Sequence, residues 1–488
     1  MHSHRARKHH VSGLRHYPHV AATIRSLLIC TLLTAAPGCM FSEHSFPIDH
    51  SAAVRAQTPK GLSARQWLPE AHKRLRNLLP HNNKPTLLTD ELSDPSGRPV
   101  DLVSTYRLKP EKLESLFVNF MGLSYSAQVT GKDAGHIPAP QWPGFADVWT
   151  PISPKLKLAG RLGMARDADG KVVSADCIVL LPGLCGGNNV KRQRDMAAAL
   201  RSGGFHVLAI ETRGQGQTAV RYPKMRATWG ILESTDLLIV SDWLEDKPNV
   251  KRTGLIGFSW GGVHAMITAW AEGRANGHPS VSPRIESVLP KLPPRRRYRA
   301  GVLVFSPVLD LEVLVEKMMT PQSYLLHPFR AGLQRTIRNW KTRSGFPNPT
   351  GSLADVIQYG PLTYEGCDAE HKAFLRLLPY NGKPAGDKFD DVRMPLLLIH
   401  GADDPIAPVQ TVADFTAGLK NPNVAAMVLP SAGHIGFAPY AKDWFYSMLL
   451  SFFDPERGPK PAGGGLKGGK LKAGDQHPTF NKKHPMIK

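Results

Sequence analysis

Apolar residues between residues 145 and 453 fall into two alternating patterns. Residues 177–181, 205–210, 253–258, 300–305, 395–400 and 424–429 are short apolar runs bounded by turn-forming residues. Unbroken apolarity, rather than alternation, fits strands buried on both faces. Between them, residues 194–200, 232–244, 261–271 and 440–453 carry apolar side chains at helical spacing. Two further strands are predicted at 145–149 and 156–162, and Asp167-Ala168-Asp169-Gly170 reads as a hairpin turn. Strand–helix alternation of this kind predicts an α/β fold, a mostly parallel sheet covered by helices on both faces. Binding sites in such sheets lie at the carboxyl ends of the strands.

One segment, about 309–390, breaks the alternation. It mixes helical stretches at 311–318, 331–340 and 371–378 with loop-like text such as Gly345-Phe346-Pro347-Asn348-Pro349. Inserted between two strands, it is expected to stand over their carboxyl ends as a lid. The main domain is thus expected at 145–454. Residues 40–144 read as an N-terminal helical extension, with helices near 67–79 and 113–120 and no recognisable chemistry. Residues 455–488 read as a basic flexible tail.

The first 39 residues have a different character. Arg25 is followed by the apolar stretch 26–36, too short for a bilayer span of about 20 residues but suited to a secretory leader behind a basic start. Ala36-Pro37-Gly38-Cys39 then resembles a bacterial lipobox, with Cys39 as a possible lipidation site. Export to the cell envelope, and membrane association through the N-terminus, are the expectations; a cytoplasmic location is the alternative.

The chain of 488 residues is 42% hydrophobic and 21% charged, an ordinary globular balance. Its net charge is +21, from 61 Lys and Arg against 40 Asp and Glu. Much of the excess lies in the two ends and in the run Arg295, Arg296, Arg297 and Arg299, which reads as solvated loop. No basic motif interleaved with aromatic residues points to nucleic acid, and none is expected as a partner. The five cysteines form neither a metal-ligand spacing nor a disulfide framework. Cys177 falls in a strand, and Cys185 in a glycine loop beside no cation that would make it a thiolate.

The chemistry centres on Gly257-Phe258-Ser259-Trp260-Gly261, set between a strand and a helix. A serine at such a sharp turn projects its hydroxyl above the sheet, and small flanking residues relieve the crowding. The hydroxyl needs a base, and the base an orienting acid. After the penultimate strand comes His400-Gly401-Ala402-Asp403-Asp404-Pro405, and after the last comes Gly433-His434-Ile435-Gly436-Phe437. Ser259 as nucleophile, Asp404 as acid and His434 as base stand in the order Ser, Asp, His, each at a strand end. Asp403 is the rival acid. Oxyanion donors are expected from the backbone N–H of Trp260 and of Leu184, in the loop Pro182-Gly183-Leu184-Cys185-Gly186-Gly187.

These motifs resemble the α/β-hydrolase superfamily. The oxyanion loop, with Thr212-Arg213-Gly214-Gln215-Gly216, is similar to the YheT-like branch, although many members have His where this chain has Pro182. The resemblance covers about 145–453. It implies a serine hydrolase acting on a small-molecule or lipid ester, through an acyl-enzyme and with no metal or organic cofactor. An acyltransferase on the same triad, or a non-catalytic binding protein keeping the fold, are the alternatives.

Overall fold

The computed structural model describes residues 52–59, 61–80, 84–89, 99–106, 141–314 (except 185, 224, 226, 275 and 312), 338, 369–378, 386–417 and 419–453. Among the described residues, nine strands form one sheet: β1 Thr86–Leu88, β2 Ala146–Ser153, β3 Leu156–Gly163, β4 Ala175–Leu181, β5 His206–Glu211, β6 Val250–Phe258, β7 Gly301–Phe305, β8 Leu396–Gly401 and β9 Val424–Leu429. Their order is β1-β9-β8-β7-β6-β4-β5-β3-β2. All neighbours from β5 through β4, β6, β7 and β8 to β9 are parallel. The antiparallel pairs sit at the edges: β2 with β3, β3 with β5, and β1 with β9. The parallel centre explains the unbroken apolar runs, since β5, β7, β8 and β9 are buried at every position. Burial of each such Val, Leu, Ile or Phe contributes about 1.5–3 kcal/mol.

The chain reverses direction across the sheet at β4. It steps from β4 to β5 through helix α1, Lys191–Ser202, and back past β4 to β6 through helix α2, Ile231–Glu245. Right-handed crossovers of opposite direction put α1 and α2 on opposite faces. Helix α3, Trp260–Gly273, packs beside α2, and helix α4, Lys442–Phe452, packs beside α1. At such a reversal a ligand site is expected above the carboxyl end of β4.

Three differences from the sequence pattern are physical. The edge strand β1 lies in the stretch set apart as an N-terminal extension. It pairs Thr86–Leu88 with Val428–Ala426, and the Tyr106 hydroxyl donates to the Val428 carbonyl at 2.8 Å. Three residues are too few to show a period. The helix Ala64–Leu75 of the same stretch docks on α4, with Trp67 edge-on to Phe452 at 5.4 Å. Second, the helix expected at 440–453 is split at Ala441, whose backbone (φ −143°, ψ 66°) is non-helical. Third, the arginine run is solvated only in part: Arg296 and Arg299 are exposed, but the run is also tied to α2. Arg297 is buried and bidentate to Asp242 of α2 at 2.7 and 2.8 Å, while Arg295 and Arg299 both reach Glu245. These arginines fasten the entry of β7 to α2. The leader with Cys39, the helix expected at 113–120, most of the insertion and the basic tail lie outside the described residues. Among the described residues, no helix is long and apolar enough to cross a membrane.

Candidate active site

Ser259 sits between β6 and α3 with φ 51° and ψ −115°, a backbone region that L-residues rarely adopt. The strain persists because the turn is clamped. The Ser259 N–H donates to the Phe305 carbonyl at 2.9 Å, and a Cβ added to Gly257 would strike the Gly261 backbone. Ser259 is only half-buried, while Phe258 and Trp260 on either side are buried. The turn therefore lifts one hydroxyl out of a closed core.

The side chains of His434 and Asp404 meet it in line. Ser259 Oγ lies 2.7 Å from His434 Nε2, and His434 Nδ1 lies 2.8 Å from Asp404 Oδ2. An ionised Asp404 accepts only, so Nδ1 carries the proton and Nε2 is left to accept from the serine hydroxyl. Asp404 is buried, and its Oδ1 accepts from the Ile406 and Ala407 N–H groups at 2.8 and 2.9 Å. Burial alone would favour its neutral form. His434, His400 and the Ala407 N–H outweigh that and hold the carboxyl below its ordinary value.

The two neighbouring aspartates do different work. Asp403 Oδ1 accepts from the Ala432 and Gly433 N–H groups at 3.0 and 2.7 Å, and Oδ2 accepts from the Ser431 hydroxyl at 2.8 Å. It thus holds the turn that carries His434, while Asp404 contacts the imidazole. The sequence favours Asp404 as the acid, with Asp403 as the rival one residue away. His400, not singled out from sequence, also lies here. It is buried, its Nε2–H donates to the Ala407 carbonyl at 3.0 Å, and that nitrogen stands 3.7 Å from Asp404 Oδ2. Burial lowers its pKa and favours the neutral ring.

On the other side of Ser259 lies the loop after β4. Parallel pairing sets Leu181 beside Gly257, so Pro182 and Gly183 run alongside Phe258 and Ser259. A Cβ on Gly183 would stand 3.6 Å from Ser259 Cβ, and one on Gly261 would strike the Pro182 carbonyl. Leu184 follows, partly buried against the core. Trp260 opens α3, so its N–H is among the first of the helix, which have no carbonyl behind them in the helix. Its ring packs edge-on against Trp229 at 4.7 Å. Cys185 lies outside the described residues. Cys177 is fully buried and burial pushes its thiol up, so it packs as an inert apolar group.

The turn after β5 binds this loop. Glu211, buried at the end of β5, accepts from the Asn188 N–H at 2.6 Å and the Gln217 N–H at 2.7 Å. Burial pushes its pKa up, and the Asn188 and Gln217 N–H groups with Arg161 offset only part of that. Arg213 is held by Asp236 of α2 at 2.5 and 2.9 Å. The one sequence signal for these contacts is the glycine-rich text Arg213-Gly214-Gln215-Gly216 at a strand end. Among the described residues, no cluster of His, Cys, Asp or Glu has the arrangement of a metal site.

The model of a family described as "Alpha/beta hydrolase family" matches residues 178–446, more than half of the chain. Similar solved structures include an esterase of Pyrococcus furiosus, at 18% identity over 64% of this chain and 96% of that one, with TM-score 0.40. A 2,6-dihydroxy-pseudo-oxynicotine hydrolase is similar at 16% identity over 64% and 68%, with TM-score 0.39. An acylaminoacyl peptidase of Pyrococcus horikoshii is similar at 17% identity over 64% and 41%, with TM-score 0.37. With its match over residues 178–446, the chain belongs to the alpha/beta hydrolase family.

Proposed function

We propose that the protein is a serine hydrolase of carboxylic esters. The observation that supports this most is the unbroken line from Ser259 through His434 to Asp404, with links of 2.7 and 2.8 Å at a strained, half-open turn. In this reading Ser259 Oγ attacks the ester carbonyl carbon while His434 Nε2 takes the hydroxyl proton. The carbonyl oxygen, now an oxyanion, is received by the N–H groups of Trp260 and Leu184. The intermediate expels the alcohol, which leaves with the proton from His434. Water then repeats the sequence on the acyl-enzyme and releases the acid. Asp404 holds the imidazole in the productive tautomer and stabilises its charged form.

The reading has finer parts. Within the family, the loop Pro182-Gly183-Leu184-Cys185-Gly186-Gly187 and the turn Thr212-Arg213-Gly214-Gln215-Gly216 support the YheT-like branch, with a small or lipid ester as substrate. The insertion at 309–390 acts as the cover that selects the acyl chain. The leader takes the protein to the envelope, with Cys39 as the lipid attachment point. Palmitate labelling and membrane fractionation test that last part. Protein found in the cytosol with Met1 retained would contradict it.

The activity is tested with p-nitrophenyl esters of increasing acyl length. Purified protein is expected to turn them over, and a folded Ser259→Ala variant is expected not to. Unchanged turnover in that variant would end the reading. Product formed only when an alcohol or amine replaces water would convert it into acyl transfer on the same triad.

A further inference from the structure

The Arg213-Gly214-Gln215-Gly216 turn lies next to the loop expected to receive the oxyanion, and its Gln215 touches that loop at one informative atom. Gln215 is buried at 5% exposure. Its side-chain Nε2 donates to the Gly183 carbonyl at 3.1 Å, and its Oε1 accepts from the Thr212 hydroxyl at 3.0 Å. The Gly183 carbonyl can only accept, so the NH₂ must face it, and the Thr212 hydroxyl is left to donate to the amide oxygen. The same carbonyl also accepts from the Gly186 N–H at 3.0 Å.

The Gly183 carbonyl and the Leu184 N–H belong to one peptide group. A trans peptide is planar, with C=O and N–H pointing in opposite directions. Whatever fixes the carbonyl therefore fixes the N–H. The Gly183 backbone already lies against Ser259, within 3.6 Å of its Cβ from the position a Gly183 Cβ would take. Glycine at 183 leaves this peptide free to rotate unless something holds it. Gly186 holds it from within the same loop. Gln215 holds it from outside, from a turn anchored to β5 by Glu211 and to α2 by the Arg213–Asp236 pair.

We propose that Gln215 is a positioning residue for the oxyanion donor: through the Gly183 carbonyl it aims the Leu184 N–H. This rests on the hydrolase reading above. An amide is suited to the task. It supplies a donor to a carbonyl without setting a net charge beside an oxygen that becomes negative in the transition state. A glutamate there would present an acceptor to an acceptor.

The test compares wild type with Gln215→Met, which keeps length and volume but removes the donor, and with Thr212→Val, which keeps the shape but frees the amide to turn. Each is assayed on a p-nitrophenyl ester and on its matched thionoester, with a trifluoromethyl ketone as a reversible oxyanion-forming inhibitor. Removing a direct donor typically costs about 10²–10³ in turnover, so losing its positioner is expected to cost about tenfold in kcat, with KM nearly unchanged. The oxoester-to-thionoester ratio should fall, and inhibitor affinity should weaken by a similar factor. Thr212→Val should move the same quantities less. A purely structural role would lower the thermal midpoint and leave the ratio unmoved. A reactive wild type whose folded variants keep both the ratio and the inhibitor affinity would overturn this inference alone. A wild type inert toward both esters and a fluorophosphonate would overturn the hydrolase reading, and the inference with it.

Discussion

Two buried carboxylates stand at strand ends, Asp404 after β8 and Glu211 closing β5, and their pKa values move in opposite directions. Asp404 and Glu211 are both buried, and each accepts two backbone N–H groups within 2.9 Å. Asp404 also meets His434 and stands near His400, and its pKa is held down. Glu211 meets backbone N–H groups, with Arg161 and Asp147 acting on it in opposite senses, and burial pushes its pKa up. Similar burial and similar backbone bonds thus give opposite shifts, and the imidazoles make the difference. The contrast suits the proposed chemistry. On the Asp404 side a positive imidazolium develops and an anion is useful. On the other side of Ser259 a negative oxygen develops, and the peptide proposed to receive it is held by the neutral amide of Gln215, not by a charged group.

The largest test of this contrast removes the chemistry itself. Ser259→Ala is expected to lower ester turnover by about 10⁴–10⁶, with His434→Ala nearly the same and the double variant little worse, because the members act as a unit. Circular dichroism on each variant checks that the fold is kept. Next comes the pair of isosteric neutralisations. Asp404→Asn should cost about 10³–10⁴ in kcat, since the ring loses its orienting charge, whereas Glu211→Gln should cost less than about tenfold. Equal losses would erase the distinction between the two sides.

A smaller effect, but of opposite sign at the two sites, is expected in stability against pH. The folded-state pKa of Asp404 lies below the unfolded value of about 3.9, so its contribution is complete above that value and fades as pH falls through the folded pKa. For Glu211 the folded pKa lies above the unfolded value of about 4.3, so stability is lost as pH rises from the unfolded value toward the folded one. Thermal midpoints from pH 3 to 7 should therefore show Asp404→Asn removing an acid-side loss of stability and Glu211→Gln removing a loss on the rising side. Slopes of the same sign in the two differences would contradict the assignment.

The smallest effect is expected at Asp403. In Asp403→Asn the side-chain oxygen can keep the Ala432 and Gly433 bonds while the NH₂ donates to Ser431, so turnover should stay within about threefold of wild type. Asp403→Ala, which frees the turn carrying His434, should be clearly worse. If Asp403→Asn were the more damaging of the two aspartate-to-asparagine changes, the acid would be Asp403.

What the sequence carried well is local. Strand β9 spans the apolar run at 424–429, and Ser259, Asp404 and His434 follow strands whose ends the pattern marks. What it did not carry is pairwise. The three residues of β1 find their partner in β9, far along the chain, and have no period of their own. Adjacent aspartates look alike in sequence and part only when one meets an imidazole and the other a neighbouring turn. The grip of Gln215 on Gly183 joins two loops through one backbone oxygen, which no side-chain pattern reports. The helix Gln410–Thr416 was too short to register as a repeat.

The central claim is that Ser259 is an activated nucleophile. The most direct measurement is labelling of the purified, folded protein with a fluorophosphonate, followed by mass mapping of the modified peptide. The account predicts one adduct, on Ser259, absent in Ser259→Ala and formed far more slowly in His434→Ala. A folded wild-type protein that takes no label, or takes it at a serine other than Ser259, would contradict it.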